Sequence, residues 1–239
     1  MARACVCSDR LTVNASGELC VIPGSLGLRQ IIVYDDPGVY QFQKASYPWL
    51  ARVRVRVQGA GGGSGGANAA SNQLIARPGG AGGSYGESLI NVGTLGASEA
   101  VTVGAGGAAG TGNNAGGAGG SSSFGGLVIA PGGDGGTANM ISGTTLGTAT
   151  GVPGPSAGSG QIREGGGAGG GAIRLNATEG MSGQGGESML GHGGFARGGA
   201  GAGTNPRGYG GGAGGPLSTG GAMNGEAGGN GVVIVELYG

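Results

Sequence analysis

The residues able to do chemistry are few in this chain, and each group that looks competent lacks a partner. GGGSGG, residues 61–66, satisfies the GxGxxG spacing with which a backbone cradles a pyrophosphate, and Glu87 follows downstream. That chemistry needs a helix N-terminus behind the glycines, and nothing helical follows. His192 in LGHGGF has no Cys, Asp or Glu at ligand or triad spacing. Glu187 and the neighbours Arg163 and Glu164 pose as acid and base, yet the carboxylates are too scattered to form a catalytic pair. GGNGVV at 228–233 has Val where a calcium-binding nonapeptide repeat needs Asp, and Asp134 in GGDGG is out of register. Asn14 and Asn176 begin glycosylation sequons by pattern alone. Cys5, Cys7 and Cys20, a CxC plus one, miss the paired spacing of a structural zinc site. They read as small buried thiols, or as a disulfide or a bridge between subunits. The expectation is therefore no catalytic, metal or cofactor site, no cofactor, and no enzyme.

Composition explains why the chemistry is so thin. Of 239 residues 68 are Gly, and 63 of these fall between Gly59 and Gly231, which divides the chain into ordinary flanks and a glycine-rich middle. Twelve basic and twelve acidic residues cancel, with a single Lys, so no footprint for nucleic acid or an anionic membrane is present. No apolar run approaches the roughly 20 residues needed to span a bilayer, and the first ten residues lack the apolar stretch of a signal peptide. Neither nucleic-acid binding nor membrane insertion is expected.

The flanks read as strands. LTVN (11–14) and LCVI (19–22) form a small hairpin around ASGE, followed by IIVY (31–34), a DDPG turn, VYQF (39–42) and LARVRVRVQ (50–58). VVIVELY (232–238) closes the chain. Strands at both borders of the middle are best explained as partners. Pairing Val53, Val55 and Val57 with Val233, Val235 and Leu237 would bury one apolar face and bring the ends of the glycine region together. Arg52, Arg54 and Arg56 then share the opposite face, outward or toward a neighbouring subunit, and with the three cysteines are the assembly candidates. Within the middle, ESLINVG (87–93) and SEAVTVG (98–104) are expected to pair as a hairpin across TLGAS, with SSFGGLVIAPGG (122–133) and AIRLN (172–176) the remaining strand signals.

Helix is excluded for the glycine clusters, since each Gly costs about 1 kcal/mol relative to Ala there. Collagen is excluded by the broken three-residue register of residues 104–120. A flexible linker would not be interspersed with Phe124, Ile173, Leu175, Phe195 and Tyr209, nor closed by a strand. The ordered alternative is a set of polyproline-II-like glycine helices, three residues per turn, whose bare backbones exchange N–H and C=O bonds. Ordering Gly is entropically costly, so such helices must be anchored, and a β base supplies the anchor. The expected fold is an all-β base plus a polyglycine-II helix bundle with essentially no α-helix. Residues 1–36 are a separate anchoring segment with short strands. Residues 37–239 form the glycine-rich domain, its β frame at 39–58, 87–104, 122–130 and 232–238.

PGVYQFQKASYPWLARVRVRVQGAGGGSGG, SEAVTVGAGGAAGTG, GGSSSFGGLVIAPGGDGG and GGNGVVIVELY, in that order, resemble the glycine-rich domain of bacteriophage tail-fibre and minor tail proteins. The chain is more distantly similar to polyglycine-II adhesins of T-even-type phages. The resemblance implies a virion component of the tail, assembled in the host cytoplasm, near the tail tip or a fibre end. It implies a homo-oligomer, by closed symmetry a trimer, joined to other tail proteins through the N-terminal segment and meeting a host cell-surface receptor, including a glycan, through the loops. Candidate receptor contacts are Asn72, Gln73, Arg163, Arg174, His192, Phe195, Arg207 and Tyr209. A head fibre or capsid decoration without a receptor role, and an ice-binding polyglycine-II protein, are the competing readings.

Overall fold

Alternation of Val with Arg in residues 52–57 places every valine on one face of a strand, and that face is where the chain builds its principal core. The structure, a computed structural model, describes residues 11–21 and 27–239. A five-stranded antiparallel sheet runs in the order Ile162–Glu164, Tyr85–Asn91, Arg52–Gln58, Val232–Tyr238, Leu28–Tyr34. The launching strand Arg52–Gln58 and the closing strand Val232–Tyr238 pair along their whole length, with Val53 opposite Leu237, Val55 opposite Val235 and Val57 opposite Val233. All six side chains are fully buried. The ends of the glycine region are thus hydrogen-bonded neighbours. The third N-terminal strand, Leu28–Tyr34, pairs with the other side of the closing strand, so that part of the N-terminal segment is joined to the frame. Upstream, Leu11–Val13 and Leu19–Val21 form the small hairpin, its turn fastened by Asn14, whose Oδ1 accepts from the N–H groups of Ser16 and Glu18.

A second antiparallel sheet, ordered Val128–Ala130, Ser122–Phe124, Ser98–Val103, Gly38–Gln43, lies across the valine face. Phe42, Val101, Val103, Phe124 and Val128 from this sheet meet Val53, Val55, Val57, Val233, Val235 and Leu237 in one core, a sandwich of two sheets. The expected hairpin between residues 87–93 and 98–104 does not form. Tyr85–Asn91 pairs with the launching strand and Ser98–Val103 with Gly38–Gln43 and Ser122–Phe124. The physical reason lies in the connection: a 3-10 turn at Val92–Thr94 and the buried Leu95 carry the chain from one sheet to the other. Val101 and Val103 thereby join Phe42 and Phe124 in the core. Among the described residues helix is confined to this turn and Lys44–Ser46.

Beyond Gln58 the strand ladder gives way to a different bonding pattern. The N–H groups of Gly59 and Gly62 donate to Ser84 and Ala81, those of Ala60, Gly63 and Gly66 to Gly120, Gly117 and Asn114, and those of Gly61 and Ser64 to Gly229 and Glu226. In return, carbonyls of Ala60 and Gly63 accept from Gly133 and Gly136, those of Gly61 and Ser64 from Gly107 and Gly110, and that of Gly62 from Ala213. These bonds are 2.8–3.1 Å long. Each direction recurs every third residue, so residues 59–66 are bonded to neighbours all round. Residues 79–84 repeat the pattern: Gly79 and Gly82 donate to Gly170 and Gly167, Gly80 and Gly83 to Ala213 and Gly210, Ala81 and Ser84 to Asp134 and Pro131. Neighbours come so close that a methyl on Gly62 would overlap the Asp134 carbonyl, and one on Gly80 the carbonyl of Gly62.

The far ends of these segments are tied by short ladders. Ala67–Ala69 pairs with Gly221–Met223, Ile75–Ala76 with Leu217–Ser218, and Ala172–Arg174 with both Gly147–Ala149 and Gly180–Met181. Leu74, Ala76, Met140, Ala149, Ala172 and Leu217 form a small second core there. Two arginines pin it. Arg77, 1% exposed, donates from Nε to Gly66, from Nη1 to Met140 and from Nη2 to Asn113. Burial lowers its pKa.

Candidate interaction surfaces

The outward face of the five-stranded sheet carries the arginines that sequence singled out for assembly. Arg54 Nε donates to Glu87 Oε1 at 2.7 Å and Arg56 Nη2 to Glu236 Oε1 at 2.8 Å, while Arg54 Nη1 lies 3.7 Å from Glu236 Oε2. Tyr85 and Tyr238 add hydroxyl bonds to Glu87 Oε2 and Glu236 Oε2, and the Arg52 guanidinium lies 5.5 Å from the centre of the Tyr238 ring. Burial disfavours the Glu87 carboxylate, but the bonds from Arg54 and Tyr85 outweigh it and hold its pKa below the ordinary range. Bonding to Glu87 raises the Arg54 pKa. Tyr85 is pushed up by burial and by its bond to Glu87. Leu28, Ile31, Val33, Leu89 and Ile162, all largely exposed, frame these charges. Arg52, Arg54, Glu87, Leu89, Gln161, Ile162 and Tyr238 line a groove of about 470 Å³. Of the cysteines, Cys20 is half-buried on Leu19–Val21; Cys5 and Cys7 lie outside the described residues.

The candidate receptor contacts separate into four places. Asn72 and Gln73 sit in the turn between Ala67–Ala69 and Ile75–Ala76, at the end away from the sandwich, with Asn72 at φ 57°. Arg163, exposed, is on the edge strand Ile162–Glu164 opposite Gly86, at the sandwich. Arg174 corrects its expectation: it is 6% exposed and its guanidinium donates to the carbonyls of Leu74, Ile141 and Thr145. It holds the 141–145 loop and is not presented to a partner.

His192, Phe195, Arg207 and Tyr209 come together on one flank. Gly191–His192 pairs with Arg207–Gly208, His192 opposite Arg207. His192 Nδ1 is 2.9 Å from Glu187 Oε2. Tyr209 turns toward the N-terminal flank, donating to Asp35 Oδ2 at 3.1 Å, and burial with that bond raises its pKa. Past this ladder the chain opens a groove of about 490 Å³ lined by Phe195, Arg197, Gly203, Thr204, Asn205 and Arg207. Thr204, buried, fixes the floor by donating from Oγ1 to the Phe195 carbonyl at 2.6 Å and exchanging backbone bonds with Gly214.

Sequence reasoning missed Arg197, Thr204, Asn205 and the network acids Glu87 and Glu236. The only available signal for Arg197 was its place two residues after Phe195. It also missed Gln58, whose amide sits where the sheet meets the glycine segments, donating to Gly83 and Ser84 and accepting from the N–H of Leu190. Among the described residues no group of three His, Cys, Asp or Glu side chains is placed to hold a metal ion. Comparison with curated proteins gave no match. The glycine-rich domain family matches from residue 40 to residue 238, launching strand and closing strand included. The chain belongs to that family of glycine-rich domains.

Proposed function

We propose that this protein is a structural component of a bacteriophage virion, a tail-fibre or tail-tip minor tail protein that presents loops to a host receptor. The observation that carries the proposal is the three-residue recurrence of bonds around residues 59–66 and 79–84. It supports reading the glycine region as a polyglycine-II bundle, since a chain with three residues per turn aims every third N–H in one direction. Such a bundle is stiff, because each segment is cross-bonded to its neighbours, and narrow, because it has few side chains. Its purpose is then to hold loops away from an anchor. The loop at 138–150 exposes Ile141 and Leu146 while Arg174 grips its backbone from beneath, an arrangement suited to displaying side chains on a fixed frame.

In this reading the sandwich faces the particle, the N-terminal segment meets other tail proteins, and the Arg52, Arg54 and Arg56 face packs against further copies in a trimer. Purified protein should compete with phage for host cells, and the Ile141→Ser/Leu146→Ser double variant, altered only at exposed positions, should fold yet compete less. A virion reconstruction should locate the chain on the tail. Density on the head, together with absence of competition, would overturn the receptor role in favour of a decoration protein.

A further inference from the structure

We infer that the groove between residues 195–197 and 203–207 is a binding site for a carboxylate-bearing sugar unit, which deepens the receptor reading above and rests on it. Phe195 is 63% exposed and lines the groove, so a face of its ring is open to a ligand. Sugars present an apolar C–H face that stacks on such rings, with hydroxyls projecting at the rim.

What surrounds the ring selects the charge of the sugar. Arg197 is held at its backbone, where its N–H donates to Ser182 Oγ at 2.9 Å and its carbonyl accepts from the Ser182 N–H, and at its side chain, where Nε donates to the Ala202 carbonyl. Its guanidinium packs against Gly201, where a Cβ would lie 2.8 Å from Nη1, and sits 5.5 Å from the centre of the Phe195 ring. A cation fixed in this way loses little freedom on binding. The Arg207 side chain lines the same groove, on an exposed ladder position opposite His192. Glu226 lies beside Asn205, whose amide donates to it at 2.8 Å when its nitrogen is turned toward the carboxylate, and the guanidiniums of Arg197 and Arg207 at the groove outnumber that single negative charge. Planar guanidiniums match carboxylates through paired N–H donors. Asn205 and Glu226 supply donor and acceptor groups for hydroxyls. The volume, about 490 Å³, lies within the range of small-ligand sites, roughly 300–1,000 Å³.

Saturation-transfer NMR titration of the full chain with D-glucuronate, D-glucose and inorganic phosphate tests the site. Glucuronate should bind at millimolar strength, and glucose, which lacks the charge-assisted contact, and phosphate, which lacks the face that stacks on Phe195, each about tenfold more weakly. Phe195→Ala and Arg207→Gln, both at exposed positions, should each weaken glucuronate about fivefold or more without shifting the melting temperature. Arg197→Gln should do the same, though it also releases the 198–202 turn. Equal binding of glucose, equal binding of phosphate, no binding of glucuronate, or glucuronate binding unchanged in the Phe195→Ala/Arg207→Gln double variant would each overturn the inference. A virion map with the chain on the tail and competition by the intact protein would leave the receptor role standing even then.

Discussion

The sandwich and the glycine region are held together by opposite means. In the sandwich, Val53, Val55, Val57, Val233, Val235 and Leu237 pack against Phe42, Val101 and Phe124 of the second sheet and exclude water, while the strand backbones bond along each sheet. In the glycine region the backbone bonds in every lateral direction, and side chains are removed to let it. Hydrophobic burial is tolerant of shape to within a methylene or so. Backbone exchange at 2.8–3.1 Å has no such tolerance at positions such as Gly62 and Gly80, where a Cβ would stand at a neighbour's carbonyl. The comparison assigns the sandwich the role of anchor. Residues 59–66 contribute little apolar area of their own, so their order depends on strands that fix both ends.

Substitution separates the two mechanisms, and the largest effect belongs to the bare backbone. Gly62→Val should lower unfolding free energy by about 4 kcal/mol or more, or prevent folding, because overlap with Asp134 forces segments apart and strands several buried N–H and C=O groups at once. Gly93→Ala and Gly126→Ala, with nothing within 4 Å of the added methyl, should fall within about 0.5 kcal/mol of the parent. Denaturant titration monitored by circular dichroism reads all three. Equal effects at Gly62 and Gly126 would break the comparison.

Arg77→Ala should come next, at about 3 kcal/mol, since it leaves the Gly66 and Met140 carbonyls and the Asn113 amide without their buried donor. Val55→Ala should cost about 2 kcal/mol in the same titration, the usual price of one buried branched side chain. The ordering sharpens the contrast: a polar pin in the glycine region outweighs an apolar contact in the sandwich.

The same contrast explains what could be foreseen. The pairing of Val53, Val55 and Val57 with the closing strand was legible because alternation marks the buried face and two border strands needed partners. The placement of residues 98–103 in the second sheet was not, since TLGAS resembles a hairpin turn and the 3-10 turn at Val92–Thr94 has no composition signal. Arg174 read as a contact candidate because it lies in a glycine-poor segment between glycine clusters. Its partners, Leu74, Ile141 and Thr145, are brought to it only by the return of distant segments. The flank groove was half legible: Phe195 and Arg207 were anticipated, whereas Thr204 owes its place to backbone bonds with Gly214 that no local pattern encodes.

The smallest effect expected from losing a side-chain contact lies on the outward face of the sandwich and tests whether electrostatics adds to either mechanism. Glu87 has a pKa held below its ordinary value of 4.5, so the folded state binds its proton less readily than the unfolded chain does. Its contribution is complete above about pH 4.5 and is lost as pH falls through the lower folded value. Between pH 7 and pH 5 stability should therefore be insensitive to this group, and Glu87→Gln should flatten part of the acid limb below that window. Because Arg54 is substantially exposed, the loss at neutral pH should stay near or below about 1 kcal/mol. An acid limb identical in parent and Glu87→Gln would show that the arginine face is held by strand pairing alone, leaving its charges free for another subunit.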